Sequence, residues 1–403
     1  MNKKKQNAEI EQQIGYLLDE QNTCTIEGQG DGWVAMASIA LALRDNDIRY
    51  EEFGFDKLKK FLDSFETLEL FQKNPTECFI RRKNTSKMVA PKNNLSGPKF
   101  ALRQWAYLGG ENGYGDKLKQ LKAIALEEKW SFDSKNENAF DVILDSYLKY
   151  TFYKLQQDNG ICYDHKDPEK AQYAVFNTGL VDRRYLPIYA LFELNKNHNQ
   201  QRWYLKGFGI EAENEIGNIL VERFPEMPLR ARYFQNVGDM LYDVNKGVPV
   251  IDWEHIIIER IERLPYDFIE DIAPRDFPVK RLDFDSDEYP SYIAQLRNEI
   301  TYNVRFHNKV KDRIESAIKL AIKRIEWNFK SAIPTYYPKS GKMGFLLPLS
   351  LTDPQRVDVA LVVMPAESGR YIGKTIYKLD WAYRCARLIC KPDSDWLSPE
   401  FIK

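Results

Sequence analysis

The sequence predicts an α+β protein in two modules: a small N-terminal winged helix-turn-helix and a larger α+β domain with a mostly antiparallel sheet. Three observations predict it. Within residues 8–83, short amphipathic patterns precede a basic hairpin. A stretch rich in turn formers, 84–100, follows with few large apolar residues and reads as a linker. Over 101–403 the order is helices, hairpins, helix, hairpins, helix, which favours an α+β domain.

Each element has its own warrant. Ile10, Ile14, Leu17 and Leu18 fall at i, i+4, i+7 and i+8, one face of a helix. The polar, Gly-containing stretch Asp19–Asp31 reads as a loop. A second helix, opened by Trp33-Val34, fits Ala35–Arg44, and a third fits Phe55–Phe65. Glu69–Gln72 and Glu77–Arg82 make a hairpin around Asn74-Pro75. Beyond the linker, helices fit Lys117–Glu127, Ala139–Gln156 and Asn303–Lys330. Strands fit Tyr173–Phe176, Ile188–Glu193, Trp203–Phe208, Phe345–Leu351, Val357–Met364 and Tyr371–Leu379. A last helix, Asp380–Cys390, starts at an Asp N-cap. The acidic, Pro-containing segment Leu264–Pro290 reads as a surface insertion, and no internal repeat is visible.

The bulk numbers narrow the function classes. A chain of 403 residues with 43% apolar and 13% aromatic residues has material for two or more cores. Its net charge of −1 means that any nucleic-acid binding must come from a local patch. Five scattered cysteines without a CxxC pair argue against a zinc site or a disulfide framework. The basic start has no apolar run after it, and no segment approaches the roughly 20 apolar residues needed to span a bilayer. The expectation is a cytoplasmic, reduced protein with no membrane partner and no resident metal; a cofactor is not indicated either way.

Positive charge concentrates in the hairpin and linker: between Lys73 and Arg103 eight Lys/Arg stand against one acid, Glu77. In a winged helix a helix enters a groove while wing residues touch phosphates. The candidate nucleic-acid contacts are therefore Lys57, Lys59 and Lys60 on the third helix and Arg81, Arg82 and Lys83 on the wing. The bland alternative is that such runs are ordinary solvated faces.

Trp33-Val34, then Tyr50, Phe53-Gly54-Phe55, Lys57-Leu58, Phe61-Leu62 and Leu70-Phe71 resemble the OST-HTH (LOTUS) domain over residues 8–83. That resemblance implies RNA binding, to G-rich or structured RNA in bacterial members, or docking to a helicase in some animal ones. Trp33, Phe55, Leu58 and Phe61 read as core residues. LOTUS domains are often joined to PIN-like nucleases, but the apolar-strand-then-Asp pattern such a nuclease needs is not found here.

The second module is dense in polar and aromatic residues: Val175–Leu180, Pro187–Glu193, Arg324–Tyr337, Leu346–Leu349, and Tyr371–Ile376 leading into Asp380–Leu388. Together they resemble DUF3825 over 101–403, a bacterial domain of uncharacterised activity found fused to RNA-binding modules. The resemblance implies a link to RNA metabolism and hands over no catalytic residues.

Helix geometry ranks positions within it. Arg313, Arg324 and Asn328 share one face of the long helix, opposite an apolar stripe of Val310, Ile314, Ala317, Ala321 and Ile325. Asp380, Tyr383 and Arg387 line up at i, i+3, i+7. Two arginines with Asn177, Tyr336 and Lys391 would make an anion pocket, since Arg offers planar forks to phosphate. The candidate catalytic set is thus Asn177, Arg324, Asn328, Tyr336, Asp380, Tyr383 and Arg387, weighed against satisfied inter-element salt bridges.

Other chemistries fare worse. His165, His198, His255 and His307 are in no ligand spacing, and there is no GxSxG and no Walker A. Gly373-Lys374-Thr375 lacks the upstream Gly-rich loop and sits in a strand-like run. The expectation is an RNA-binding protein of RNA metabolism, with RNA, single-stranded or structured, as partner. Its second domain either processes RNA ends or nucleotides by phosphoester chemistry or serves as a non-catalytic scaffold; a DNA-binding regulator is disfavoured.

Overall fold

The structure is a computed structural model. It describes residues 10, 14, 17–18, 24–26, 30–45, 48–53, 55–65, 67–74, 77–82, 97–132, 141–197, 200–283 and 286–399. The chain divides into two compact units, Met1–Leu95 with Lys280–Leu296, and Ser96–Val279 with Arg297–Lys403. Helices and sheets are mixed in both, as expected of an α+β protein.

In the first unit Ile10, Ile14, Leu17 and Leu18 are helical, and the last three are buried. Strands β1 (Cys24–Ile26) and β2 (Gly30–Ala35) follow, then α1 (Met36–Asp45), α2 (Leu58–Asp63), β3 (Leu68–Gln72) and β4 (Cys78–Arg82). The strands form one antiparallel sheet in the order β1-β2-β4-β3.

Three expectations are corrected in this unit. Part of the Asp19–Asp31 stretch is strand, and Trp33-Val34 lies within β2, just before its last residue Ala35, instead of opening a helix. An aromatic next to a β-branched residue suits a pleated surface better than a helix start. Val34 and Ala35 pair with Ile80 and Phe79, which ties this strand to the basic hairpin. The third helix is also shorter than Phe55–Phe65: a 3-10 turn spans Tyr50–Phe53, and Lys57 precedes α2 in extended backbone. Phe61 centres the packing, with the rings of Tyr50, Phe53, Phe55 and Phe65 at 5.0–6.3 Å. Trp33 and Phe61 are buried and Leu58 packs on the same core.

The second unit opens with α3 (Ala101–Trp105), β5 (Ala106–Tyr107), α4 (Glu111–Ile124) and α5 (Val142–Gln157). Then come β6 (Cys162–Tyr163), β7 (Tyr173–Val181), β8 (Pro187–Leu194), β9 (Trp203–Gly209) and α6 (Asn214–Arg223). After β10 (Val250–Ile251) the chain forms α7 (Tyr266–Ile272), then α8 (Tyr289–Tyr302), whose residues up to Leu296 belong to the first unit, and α9 (Val304–Trp327). It closes with β11 (Ile333–Tyr337), β12 (Lys342–Leu349), β13 (Val359–Pro365), β14 (Tyr371–Tyr377) and α10 (Leu379–Arg387).

These strands make two sheets, β5-β9-β8-β7-β6 and β10-β14-β13-β12-β11. Each is an antiparallel meander of four strands whose last strand also pairs in parallel with a two-residue strand from upstream. A helix follows each meander. One topology is therefore used twice, although no repeat is legible in the residues.

The helices α5 and α10 join the sheets: α5 packs on β7 and α10, and α10 packs on β11, β13 and β14. Alternation divides the strand residues between two faces. Ala174, Phe176, Ile188, Ala190 and Phe192 enter the shared core with Leu346, Ala360 and Val362. Val175, Tyr189 and Leu191 pack on Leu220 and Phe224 at the end of α6. On the far side of the second sheet α9 lies on β12 and buries Phe306, Val310, Ile314, Ala317, Ile318, Ala321 and Ile325.

Three further expectations change. Leu264–Pro290 is not merely a surface insertion, because α7 buries Phe268, Ile269 and Ile272 while its acids face outward. Strand β11 was not foreseen; it carries Pro334 at the edge of its sheet, where Pro is tolerated. Asp380 is not an N-cap. It lies in the first turn of α10, behind an extended Lys378. Among the described residues no helix is long and apolar enough to cross a membrane.

Candidate functional site

In the first unit Lys57 precedes α2 and Lys59 and Lys60 lie on it; Phe61 and Leu62 are buried, Lys57 and Lys60 are exposed and Lys59 is half-buried. Lys57 Nζ lies 3.5 Å from Asp287 Oδ2, Lys60 Nζ donates to Asp56 at 2.7 Å, and Lys59 Nζ donates to Gln72 Oε1 on β3. The Lys60 hydrogen bond holds the Asp56 carboxyl below its usual range. Arg81 on β4 donates from Nε to Glu69 on β3, its cross-strand partner, and lies 4.2 Å above the Trp33 ring. Arg82 belongs to β4, but its side chain, and all of Lys83, lie outside the described residues.

In the second unit four of the seven candidates gather around α5. Arg387, 8% exposed on α10, donates from Nε and Nη2 to the two oxygens of Glu128 at 2.6 and 2.9 Å. Tyr383, one turn earlier, donates to Glu128 Oε1 at 3.2 Å. The guanidinium lies 5.0 Å from the Trp130 ring and 4.7 Å from Tyr147. Burial works against the charge on Arg387, yet the Glu128 hydrogen bonds outweigh it and raise its pKa. Burial pushes the Tyr147 phenol up against the opposing pull of Arg387.

Asn177 reaches the same place through backbone. Its Oδ1 accepts from Gly179 N at 2.9 Å, and its Nδ2 donates to the Pro228 carbonyl at 3.1 Å. Gly179 has φ +75°, and a Cβ there would stand 2.5 Å from the Tyr147 hydroxyl, so glycine is required twice over. On the next turn of α5, Thr151 Oγ1 is 3.2 Å from the Tyr233 hydroxyl, and the Tyr233 ring sits 4.9 Å from Tyr336. Burial raises the pKa of both phenols.

The remaining candidates lie elsewhere. Arg324 donates to Ser350 Oγ at 3.0 Å and to the Pro354 carbonyl, and Arg313 donates to the Leu351 carbonyl at 2.9 Å. Both brace the loop between β12 and β13 from α9, so the second sheet separates them from Arg387. Asn328 ends α9 and accepts from Lys330 N at 3.1 Å. Asp380 pairs with Arg384 at 3.4 Å, and Lys391 is exposed beyond α10. The two arginines, Asn177, Tyr336 and Lys391 are therefore not brought together as one anion pocket.

Sequence reading missed Glu128, Tyr147, Thr151 and Tyr233. Tyr147 and Thr151 share a helical face, but nothing local marks Glu128 as the partner of a residue 259 positions away. With both carboxylate oxygens on its fork, Arg387 is a bidentate clamp, the strongest arginine geometry. Among the described residues no group of three or more His, Cys, Asp or Glu stands where it could hold a metal ion.

A family model described as Domain of unknown function (DUF3825) matches residues 121–396. No curated protein and no solved structure matches the chain.

Proposed function

The chain belongs to the DUF3825 family, and on that premise we propose that it is a cytoplasmic RNA-binding protein of RNA metabolism. The first unit, read as a winged helix-turn-helix of the LOTUS kind, recruits RNA, single-stranded or structured, to the family domain. That domain acts on RNA ends or nucleotides by phosphoester chemistry. One observation carries the recruiting role: Lys57, Lys59 and Lys60 stand on or beside one short helix, and their partners lie at the surface. The Lys57 and Lys60 side chains are 46% and 60% exposed. Exposed ion pairs contribute little, so phosphates can replace these carboxylates at small cost. Arg81, stacked on Trp33 beside the hairpin, adds a guanidinium to the same unit.

Fluorescence anisotropy of a labelled RNA against salt concentration tests this. Replacing Lys57, Lys59 and Lys60 with alanine is expected to weaken binding and flatten the salt slope by about 0.7 per lost phosphate contact. Unchanged affinity and slope would remove the first unit from the RNA path.

A second reading, a non-catalytic RNA-binding scaffold, is favoured by the state of the arginines. Arg387 is engaged by both oxygens of Glu128, and Arg324 is bonded to the loop between β12 and β13. Mass spectrometry of RNAs with defined ends, incubated with the full chain with and without divalent metal, separates the two. A changed terminus or an internal cut supports the processing role; intact RNA supports the scaffold.

A further inference from the structure

The end of α9 carries the most exposed tryptophan among the described residues. Trp327 is 92% exposed and Phe329, two residues on, is 60% exposed. Tryptophan is highly buried on average, so a neighbouring pair of aromatics in water is an informative departure. The mount is rigid. Asn328 N donates to the Arg324 carbonyl at 2.8 Å, and Asn328 Oδ1 accepts from Lys330 N at 3.1 Å. Trp396 Nε1 holds the Ser331 carbonyl at 3.0 Å.

Lysines lead along the helix to the aromatics. Lys319, Lys323 and Trp327 fall at i, i+4 and i+8, so two exposed lysines line the helix face that leads to the tryptophan. Lys330 follows the aromatics and pairs with Asp393 at 3.0 Å, both side chains being open to solvent. Lys391 and Arg356 are exposed in the two segments that pack beside this helix end, and Glu326, Asp353, Asp358 and Asp393 are the carboxylates within three residues of these cations.

A line of cations ending in two open aromatic faces matches the chemistry of single-stranded nucleic acid. Cations follow the phosphates, and rings take the bases whatever their sequence. We propose that Trp327 and Phe329 form a base-stacking platform for single-stranded RNA on the DUF3825 domain, with Lys319 and Lys323 tracking its backbone. The choice of RNA rests on the function proposed above; the stacking and charge rest on this helix end alone. The platform gives the family domain its own hold on the strand that the first unit recruits.

The test uses the full chain, fluorescein-labelled oligouridine and anisotropy at several salt concentrations, with three variants. W327A/F329A is expected to weaken binding by about fivefold or more without changing the salt slope, because stacking releases no counterions. W327F/F329Y is expected to restore most of the affinity, and K319A/K323A to flatten the slope. If W327A/F329A binds like the parent while the α2 lysine variant is weakened, the platform is overturned and the recruiting role stands. If W327A/F329A is weakened and the α2 variant is not, the platform stands and the recruiting role falls. Absence of binding by the parent chain overturns both. Two further results overturn the platform: tighter binding of oligothymidine than oligouridine, or a change of sedimentation coefficient in W327A/F329A that marks a protein–protein contact instead.

Discussion

Two arginines, one in each unit, have similar neighbours and different surroundings. Arg81 stacks on Trp33 and pairs with Glu69 across a strand pair, its side chain about a quarter exposed at 27%. Arg387 lies over Trp130 and Tyr147 and pairs with Glu128, its side chain 10% and its partner 7% exposed. Water decides what each can do. A partly solvated guanidinium can exchange its carboxylate for a phosphate, while a buried one would leave Glu128 charged and alone. Residue type and partner type therefore do not separate the two arginines, and burial does.

The largest effect that would sharpen this contrast is at Arg387. Replacing Arg387 or Glu128 singly with alanine is expected to cost the chain about 3–5 kcal/mol in urea unfolding, because the partner charge stays buried. Replacing both with apolar residues of similar volume should recover most of that loss. If the single variants are as stable as the parent, the pair is not the clamp described here.

A smaller effect follows from the phenols around that pair. Burial raises the pKa of Tyr147, Tyr233 and Tyr336 above 10, so above that pH the folded chain holds protons that the unfolded chain releases. Stability must then fall as pH rises, by about 1.4 kcal/mol per pH unit for each such proton, and be fully present below pH 10. Urea midpoints measured at pH 8 and pH 11 check the sign. A higher midpoint at pH 11 would contradict the buried placement of these side chains.

The smallest effect belongs to the first unit. Alanine at Lys57, Lys59 and Lys60 together should leave the urea midpoint where it was, since solvated pairs hold little stability. A substantial loss of stability would mean that these lysines are structural, and would break the comparison from the other side.

Much of the architecture could be read from neighbours along the chain. The stripe Val310, Ile314, Ala317, Ala321 and Ile325 is the buried face of α9, and the strand runs near 173, 188, 203, 345, 357 and 371 are three of the four meander strands in each of the two sheets, β6 and β11 being the meander strands not foreseen. Such elements are legible because a helix or strand repeats its burial every 3.6 or 2 residues, a signal carried by the segment itself. Trp33-Val34 misled because a helix start and a strand end differ in what lies alongside, not in local composition.

The candidate site divides the same way. Sequence alone singled out Tyr383 and Arg387 as residues on one helical face, and Lys57, Lys59 and Lys60 as a basic cluster. Only the tertiary structure put Glu128 on the Arg387 fork, placed a sheet between Arg324 and Arg387, and left Trp327 in water. The physical reason is range. Periodicity and charge belong to residues a few positions apart, whereas the partner of a buried ion pair and the exposure of a ring depend on which distant segments the fold brings alongside.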